Sequence, residues 1–226
     1  MTSPTLKQIS RQASEELVRQ GVHTFDVAAR KLFDFDRRET LIVHPDADLA
    51  HKRLARLALQ CDHCKTHETG VSLRQSFKLT EGASLLYATG ARLLLGIKVR
   101  ERGSSPVCLG FVLYMKTREG VVEPEVSAAF RSLPRHSLYI ELVCGAPRTG
   151  TVSLLLLKLL GRLHTGKTVK GLLAKAVNTK SVHLFERHGY ETPTLRSDIF
   201  FLSRANALYQ VAKYEQLLLV DQRKNH

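Results

Sequence analysis

The chain has 226 residues, 43% of them hydrophobic and 24% charged, which suits one sizeable folded domain carrying extra elements. No run of eighteen apolar residues occurs, since even the stretch 151–163 is broken by Lys158, Gly161 and Arg162, so the composition excludes a membrane-spanning helix. Lysine and arginine number 34 against 21 acidic residues, a net charge of +13 that favours polyanionic partners such as nucleic acid; the basic residues are scattered, which excludes a basic tail as the source.

Ser3 and Pro4 mark a helix start, and Leu6, Ile9, Ala13 and Leu17 form a helical stripe that Gly21 stops. Phe25, Ala28, Ala29, Leu32 and Phe33 share one side of a second predicted helix over 25–33, and Leu49, Arg53, Leu54, Leu57 and Ala58 predict a third. Residues 1–68 are therefore expected to form a helical N-terminal extension, with a second unit over 69–226. From Ser72 the character turns to strands. Residues 91–101 and 107–118 predict a hairpin around Arg102-Gly103-Ser104-Ser105-Pro106, and 136–144 a third strand, which Gly145-Ala146-Pro147 ends. A buried helix over 151–163, a strand over 171–177, a short helix over 181–188 closed by Gly189, a strand over 199–202 and a final amphipathic helix over 205–219 complete the order.

Cys61 and Cys64 have the two-residue gap of a zinc knuckle, with His51, His63 and His67 nearby, but no second cysteine pair exists, so no metal is expected. Cys108 and Cys144 sit in apolar runs as small hydrophobes would, which argues for a reducing compartment. Residues 1–10 lack the apolar core of a secretion signal, and the expectation is an intracellular, cytoplasmic protein. Residues 161–168, GRLHTGKT, match the phosphate-binding string of nucleotide hydrolases. That string needs a strand before it and a helix after it, whereas its setting predicts a helix before it. Only 58 residues follow Thr168 (226 − 168), too few for the rest of such a sheet, and the string reads as a helix-to-strand turn with glycine caps.

The segment Asn178 to Tyr190, NTKSVHLFERHGY, resembles the acetyl-coenzyme A-dependent acyltransferases of the GNAT family: Asn, a small residue, then aromatic, acidic, basic, any, Gly, aromatic. Leu138 to Cys144 followed by Gly145 to Ser153 resembles that family's central strand, its turn and its pyrophosphate-binding helix. The resemblance implies an α/β fold with a mixed, mainly antiparallel sheet splayed between the strands 138–144 and 171–177. It implies backbone pairing of Leu142, Val143 and Cys144 with the pantetheine arm of acetyl-CoA. It also implies a phosphate cradle at Arg148, Thr149, Gly150, Thr151, Val152 and Ser153, with Asn178 and Phe185 as further cofactor-binding residues. A helix start holds two phosphates with its unpaired N–H groups and partial positive charge, without needing a lysine.

Glu141, a lone acid in an apolar strand on the face of Tyr139 and Val143, is the candidate base; an ion pair across the sheet is its bland alternative. Against the family's pattern of Gln or Arg, two residues, Gly, one residue, Gly or Ala, the chain carries Pro147, Gly150 and Val152, so that a donor is lost and the backbone is crowded. Phe185 stands where many relatives have a tyrosine that protonates the leaving thiolate. The resemblance implies acetyl transfer from acetyl-CoA to an amine acceptor, protein or small molecule, with no metal. Its alternatives are a GNAT-like fold that has lost catalysis and serves as a basic interaction module, and a P-loop nucleotide-binding protein.

Overall fold

Helix and strand follow one another from residue 5 onward in a computed structural model that describes residues 5–28, 31–34, 39–42, 58, 92–98, 106–117, 136–165, 169–192 and 198–223. They divide into two compact units: Met1–Glu16, Lys116–Glu141 and Leu156–His226 make one, Leu17–Met115 and Leu142–Leu155 the other. The predicted helix over 49–58 apart from Ala58, the Cys61–Cys64 cluster, the strand region from Ser72 to Gly90 and the tail of the phosphate-loop-like string, Gly166 to Thr168, lie outside the described residues.

Helix α1, Leu6–Arg19, carries the expected stripe, and Leu6, Ile9, Ala13 and Leu17 are fully buried. Gly21 ends it in the left-handed conformation (φ 69°). The second predicted helix is not formed. Residues 25–28 and 31–33 instead belong to strands β1, Val22–Ala28, and β2, Lys31–Asp34. The alternation that decides this is Val22, Thr24 and Asp26 buried with His23 exposed and Phe25 between. Those residues fit a 3.6-residue stripe as well, and pairing along the full length of β1 with a distant strand overrides it.

In the second-named unit, β3, Glu39–Ile42, pairs with β2, and β1 pairs with β4, Arg92–Lys98, which pairs with β5, Val107–Lys116; every pairing is antiparallel. The hairpin of β4 and β5 is the predicted one. Leu93, Leu94, Leu95 and Ile97 are all buried, so both faces of β4 are covered. One polar group is built into this packing. Asp26, buried on β1, accepts from Arg92 Nε at 3.0 Å and Nη2 at 2.7 Å, and from the Tyr114 hydroxyl at 3.0 Å. Arg92 and Tyr114 are direct cross-strand partners, so three strands converge on one carboxylate.

In the first-named unit, residues 138–140 of β6, Leu138–Gly145, run parallel to β7, Gly171–Lys175, which pairs antiparallel with β8, Ile199–Ser203. β6 and β7 form the parallel pair among the described strands, and the sheet is otherwise antiparallel. Helix α2, Thr151–Thr165, follows β6, and its Gly161 lies against α1: an added Cβ would meet Ser10 Oγ at 2.6 Å, and that hydroxyl donates to Lys158 O at 2.8 Å. The first glycine of the phosphate-loop-like string is thus a packing glycine inside a helix and not a cap. Residues 161–165 continue α2, so a helix precedes the rest of the string.

Helix α3, Thr179–Arg187, stacks Phe185 against Tyr190 (ring centroids 5.2 Å apart) and Phe200 (5.7 Å). The predicted last helix is two, α4, Arg204–Tyr209, and α5, Val211–Arg223, divided at Gln210. Tyr214 on α5 donates its hydroxyl to His188 O at 3.1 Å, and burial raises that hydroxyl's pKa. The Tyr190 hydroxyl is buried with no hydrogen-bond partner among the described residues; burial, and secondarily Tyr214, raises its pKa well above the ordinary phenol value. Tyr190→Phe removes this unmet group, and an unsatisfied buried hydroxyl costs about 1–3 kcal/mol. The variant is expected to melt a few degrees higher, a shift of about 2–4 °C per kcal/mol at this size. A lower melting temperature would mean that the hydroxyl has a partner in solution.

Candidate functional site

β6 outruns its pairing. Its register with β7 ends at Ile140 opposite Ala174, although β6 continues to Gly145. Glu141, half-buried, is the first residue beyond the last pair. Leu142, Val143, Cys144 and Gly145 are half-exposed where Leu138, Tyr139 and Ile140 are buried. Cys144 is disulfide-bonded, a correction to the expectation of a free thiol filling an apolar run, while Cys108 is free and buried.

The turn after β6 begins where Ala146 N donates to Leu109 O at 2.7 Å. Thr149 Oγ1 donates to Ala146 O at 2.9 Å and accepts from Thr151 N at 3.3 Å, and Leu154 N to Gly150 O, at 3.0 Å, starts the helical ladder of α2. Arg148 (φ 64°) and Gly150 (φ 68°) are both left-handed. For arginine that conformation costs on the order of 1 kcal/mol, and it persists only where the surroundings impose it. Alternation of hand along a turn aims successive N–H groups to one side, as in an anion-binding nest. Among the described residues, the N–H groups of Arg148, Gly150 and Val152 have no acceptor.

Thr151 opens α2, and its methyl is held over the sheet. Cβ atoms added at Gly96 and Gly110 would meet it at 2.8 and 3.3 Å, so larger residues there would push α2 away. Its Oγ1 is buried with no hydrogen-bond partner among the described residues. Val152 turns back onto Gly145, whose added Cβ would collide with the valine Cγ2. The valine is therefore spent on packing and leaves the turn's N–H groups uncovered. Pro147 is exposed, and its missing donor is none of the three unpaired ones. No acidic side chain lies between Leu142 and Ser153. Free donors, one orphaned buried hydroxyl, an exposed arginine and a helix start fit a pyrophosphate.

In the other unit, Asn178 is the N-cap of α3 in a complete capping box. Its Oδ1 accepts from Ser181 N at 2.9 Å, and Ser181 Oγ accepts from Asn178 N and Val177 N, both at 3.1 Å. Phe185 is buried in the aromatic cluster with 1% exposure. The sequence named Asn178 as a cofactor-binding residue and did not foresee the cap. It also missed the orphaned Thr151 hydroxyl and the left-handed Arg148, because neither a hydroxyl's partners nor φ is written in residue type. No group of three or more His, Cys, Asp or Glu able to hold a metal occurs among the described residues, and no helix among them is long and apolar enough to cross a membrane.

A mainly antiparallel sheet with a parallel pair among its described strands is the arrangement the family resemblance implies.

No protein-family model matches the chain, and no curated protein does. Among solved structures it is similar to a point mutant of KacT, at 15% identity over 68% of this chain and 88% of that one, with a TM-score of 0.45. It is similar to AtaTR bound with AcCoA at 12% identity over 67% of this chain and 87% of that one, TM-score 0.46. It is also similar to AtaT complexed with acetyl-methionyl-tRNAfMet, at 13% identity over 65% of this chain and 88% of that one, TM-score 0.45.

Proposed function

We propose that the chain is a divergent GNAT acyltransferase that moves an acetyl group from acetyl-CoA to an amine. The observation that carries this reading is the turn 148–152: three N–H groups without acceptors beside the unpartnered Thr151 Oγ1, directly after a strand that has lost its neighbour. Read one residue later than the sequence suggests, the family string places Arg148 in the Gln or Arg slot, with the buried Thr151 and Ser153 where the pattern has Gly and then Gly or Ala. Pro147 and Val152 then fall outside the three slots, at the cost of the match at Gly150.

The amides of Arg148, Gly150 and Val152 and the Thr151 hydroxyl would hold the pyrophosphate, and the backbone of Leu142, Val143 and Cys144 would hold the pantetheine arm. When bound, acetyl-CoA supplies the acyl group as a thioester. An N–H of that strand segment would donate to the acyl oxygen, and Glu141, one residue earlier in the chain, would take the proton from the attacking amine. Asn178 fixes the turn ahead of α3. Phe185 has no hydroxyl to give, so the thiolate's proton comes from elsewhere, and its burial also suits the reading of an inactive, basic interaction module.

Acetyl-CoA at a hundred times its dissociation constant is expected to add about 2.7 kcal/mol of stability by mass action, or about 5–10 °C in melting temperature. No shift at millimolar acetyl-CoA, or a larger one with ATP and magnesium, would overturn the assignment. Thr151→Val sharpens the test. It keeps the methyl over Gly96 and Gly110 and removes an unmet hydroxyl, so the free protein should melt no lower. A hydrogen bond to a charged group is worth about 1.5–3 kcal/mol, so acetyl-CoA affinity should fall by roughly tenfold or more. Undiminished affinity would take Thr151 out of the site.

A further inference from the structure

Four neighbouring chain segments of the β6–β8 unit each place one exposed basic residue at the same end of the sheet. Lys116 closes β5, His136 precedes β6, Lys170 precedes β7, and Arg204 follows β8. Backbone hydrogen bonds tie these positions side by side. Thr117 N donates to Ser137 O at 2.9 Å, Lys170 N to His136 O at 3.2 Å and Arg204 N to Lys170 O at 3.0 Å. The Thr117 hydroxyl adds bonds of 3.0 and 3.1 Å to the backbone of Ser137. The order of the strands therefore fixes the order of these basic groups, and residues 20 to 34 apart in sequence become neighbours in a row.

Among the described residues the row is unopposed. None of Lys116, His136, Lys170 and Arg204 makes an ion pair with a described residue, and their neighbours Thr117, Ser137, Val169 and Ser203 include no acid. The first turn of α4, which Arg204 opens, is also without one. In a chain at +13, basic groups set in a row with no carboxylate among the described residues favour an anion shared among them.

We infer that this row is a contact surface for the phosphate backbone of a nucleic acid. Strands lie about 4.8 Å apart, so three steps from Lys116 to Arg204 span about 14 Å, a line of cations at regular intervals. A nucleic-acid strand is a line of anions at regular intervals, one charge per ~3.4 Å of axis. An anionic bilayer would be met by basic residues beside many exposed apolar side chains that enter it; among the described residues, the elements that carry the row expose two, Leu208 and Tyr209 on α4. A single exposed ring, Tyr209, makes no stacking platform for successive bases. The contact is to phosphates and independent of sequence.

The test uses the full chain and fluorescence anisotropy with labelled single-stranded RNA, single-stranded DNA and duplex DNA over a range of salt. The row variant is Lys116→Glu with Lys170→Glu and Arg204→Glu. The control, with the same change in net charge, is Lys7→Glu with Lys98→Glu and Arg187→Glu, all exposed and elsewhere in the chain. Each phosphate-paired cation contributes about 0.7–0.9 to the slope of log affinity against log salt, so the row variant should lose about 2–3 in slope and bind at least tenfold more weakly at low salt. The control should change affinity by less than about threefold. Equal losses would reduce the row to the general field and overturn the proposal, as would undiminished binding by the row variant. Row-dependent binding to phosphatidylserine vesicles without binding to any of the nucleic acids would overturn it in favour of a membrane. The arms also separate RNA from DNA as the source of the phosphates. Should the triple glutamate variant fail to fold, the alanine triple at the same positions is expected to lose the same slope. Neither variant should alter the melting shift given by acetyl-CoA, so this proposal and the acyltransferase reading fail separately.

Discussion

Glu141→Gln is expected to slow acetyl transfer by about two to four orders of magnitude while leaving acetyl-CoA affinity unchanged, the range for losing a general base. The substitution keeps the shape of the side chain and removes its ability to hold a proton. Its place supports the expectation: the strand is apolar, the residue is half-buried, and it stands one position past the last pair with β7. The competing role is an ion pair. A carboxylate that served only to neutralise a cation would leave that cation uncompensated when replaced, and stability would fall with little direct effect on chemistry. Melting temperature and transfer rate measured on one preparation separate the two. A stable protein with an unchanged rate would remove Glu141 from the mechanism.

Residues whose roles depend on near neighbours could be read from the chain. The stripe of α1 was legible because Leu6, Ile9, Ala13 and Leu17 report a local period, and the end of α3 because Gly189 supplies a helix stop. β1 was not legible as a strand, because its partner β4 lies some seventy residues on, and 25–33 satisfy a helical stripe when read alone. The turn after β6 was legible in place but not in detail. Sequence alone showed neither that Val152 packs against Gly145 nor that Pro147 is exposed. The left-handed Arg148 is likewise not announced by residue type. The basic row was invisible for the same reason, since only the strand order brings its members together.

The other large effect belongs to a residue that sequence spacing assigned to a helix. Asp26→Asn should lower stability by about 2–4 kcal/mol, somewhat below the 3–5 kcal/mol typical of breaking a fully buried pair, because Arg92 is 34% exposed and water shares its charge. In melting temperature that is about 4–16 °C for a chain of this size. The asparagine retains one acceptor for the three donors that now converge on the carboxylate, Arg92 Nε, Arg92 Nη2 and the Tyr114 hydroxyl. Tyr114→Phe removes one hydrogen bond from a carboxylate that keeps its two bonds from Arg92, and should cost less, about 1.5–3 kcal/mol, since it leaves no charge uncompensated. The decisive comparison is the double variant with Arg92→Met. If the penalty of Asp26→Asn is the guanidinium left facing an amide, then replacing that guanidinium with an apolar chain of similar reach restores part of the loss, and the two changes together cost less than their sum. Simple additivity would mean that the three strands are held by their ladder and their apolar packing, with the carboxylate contributing little.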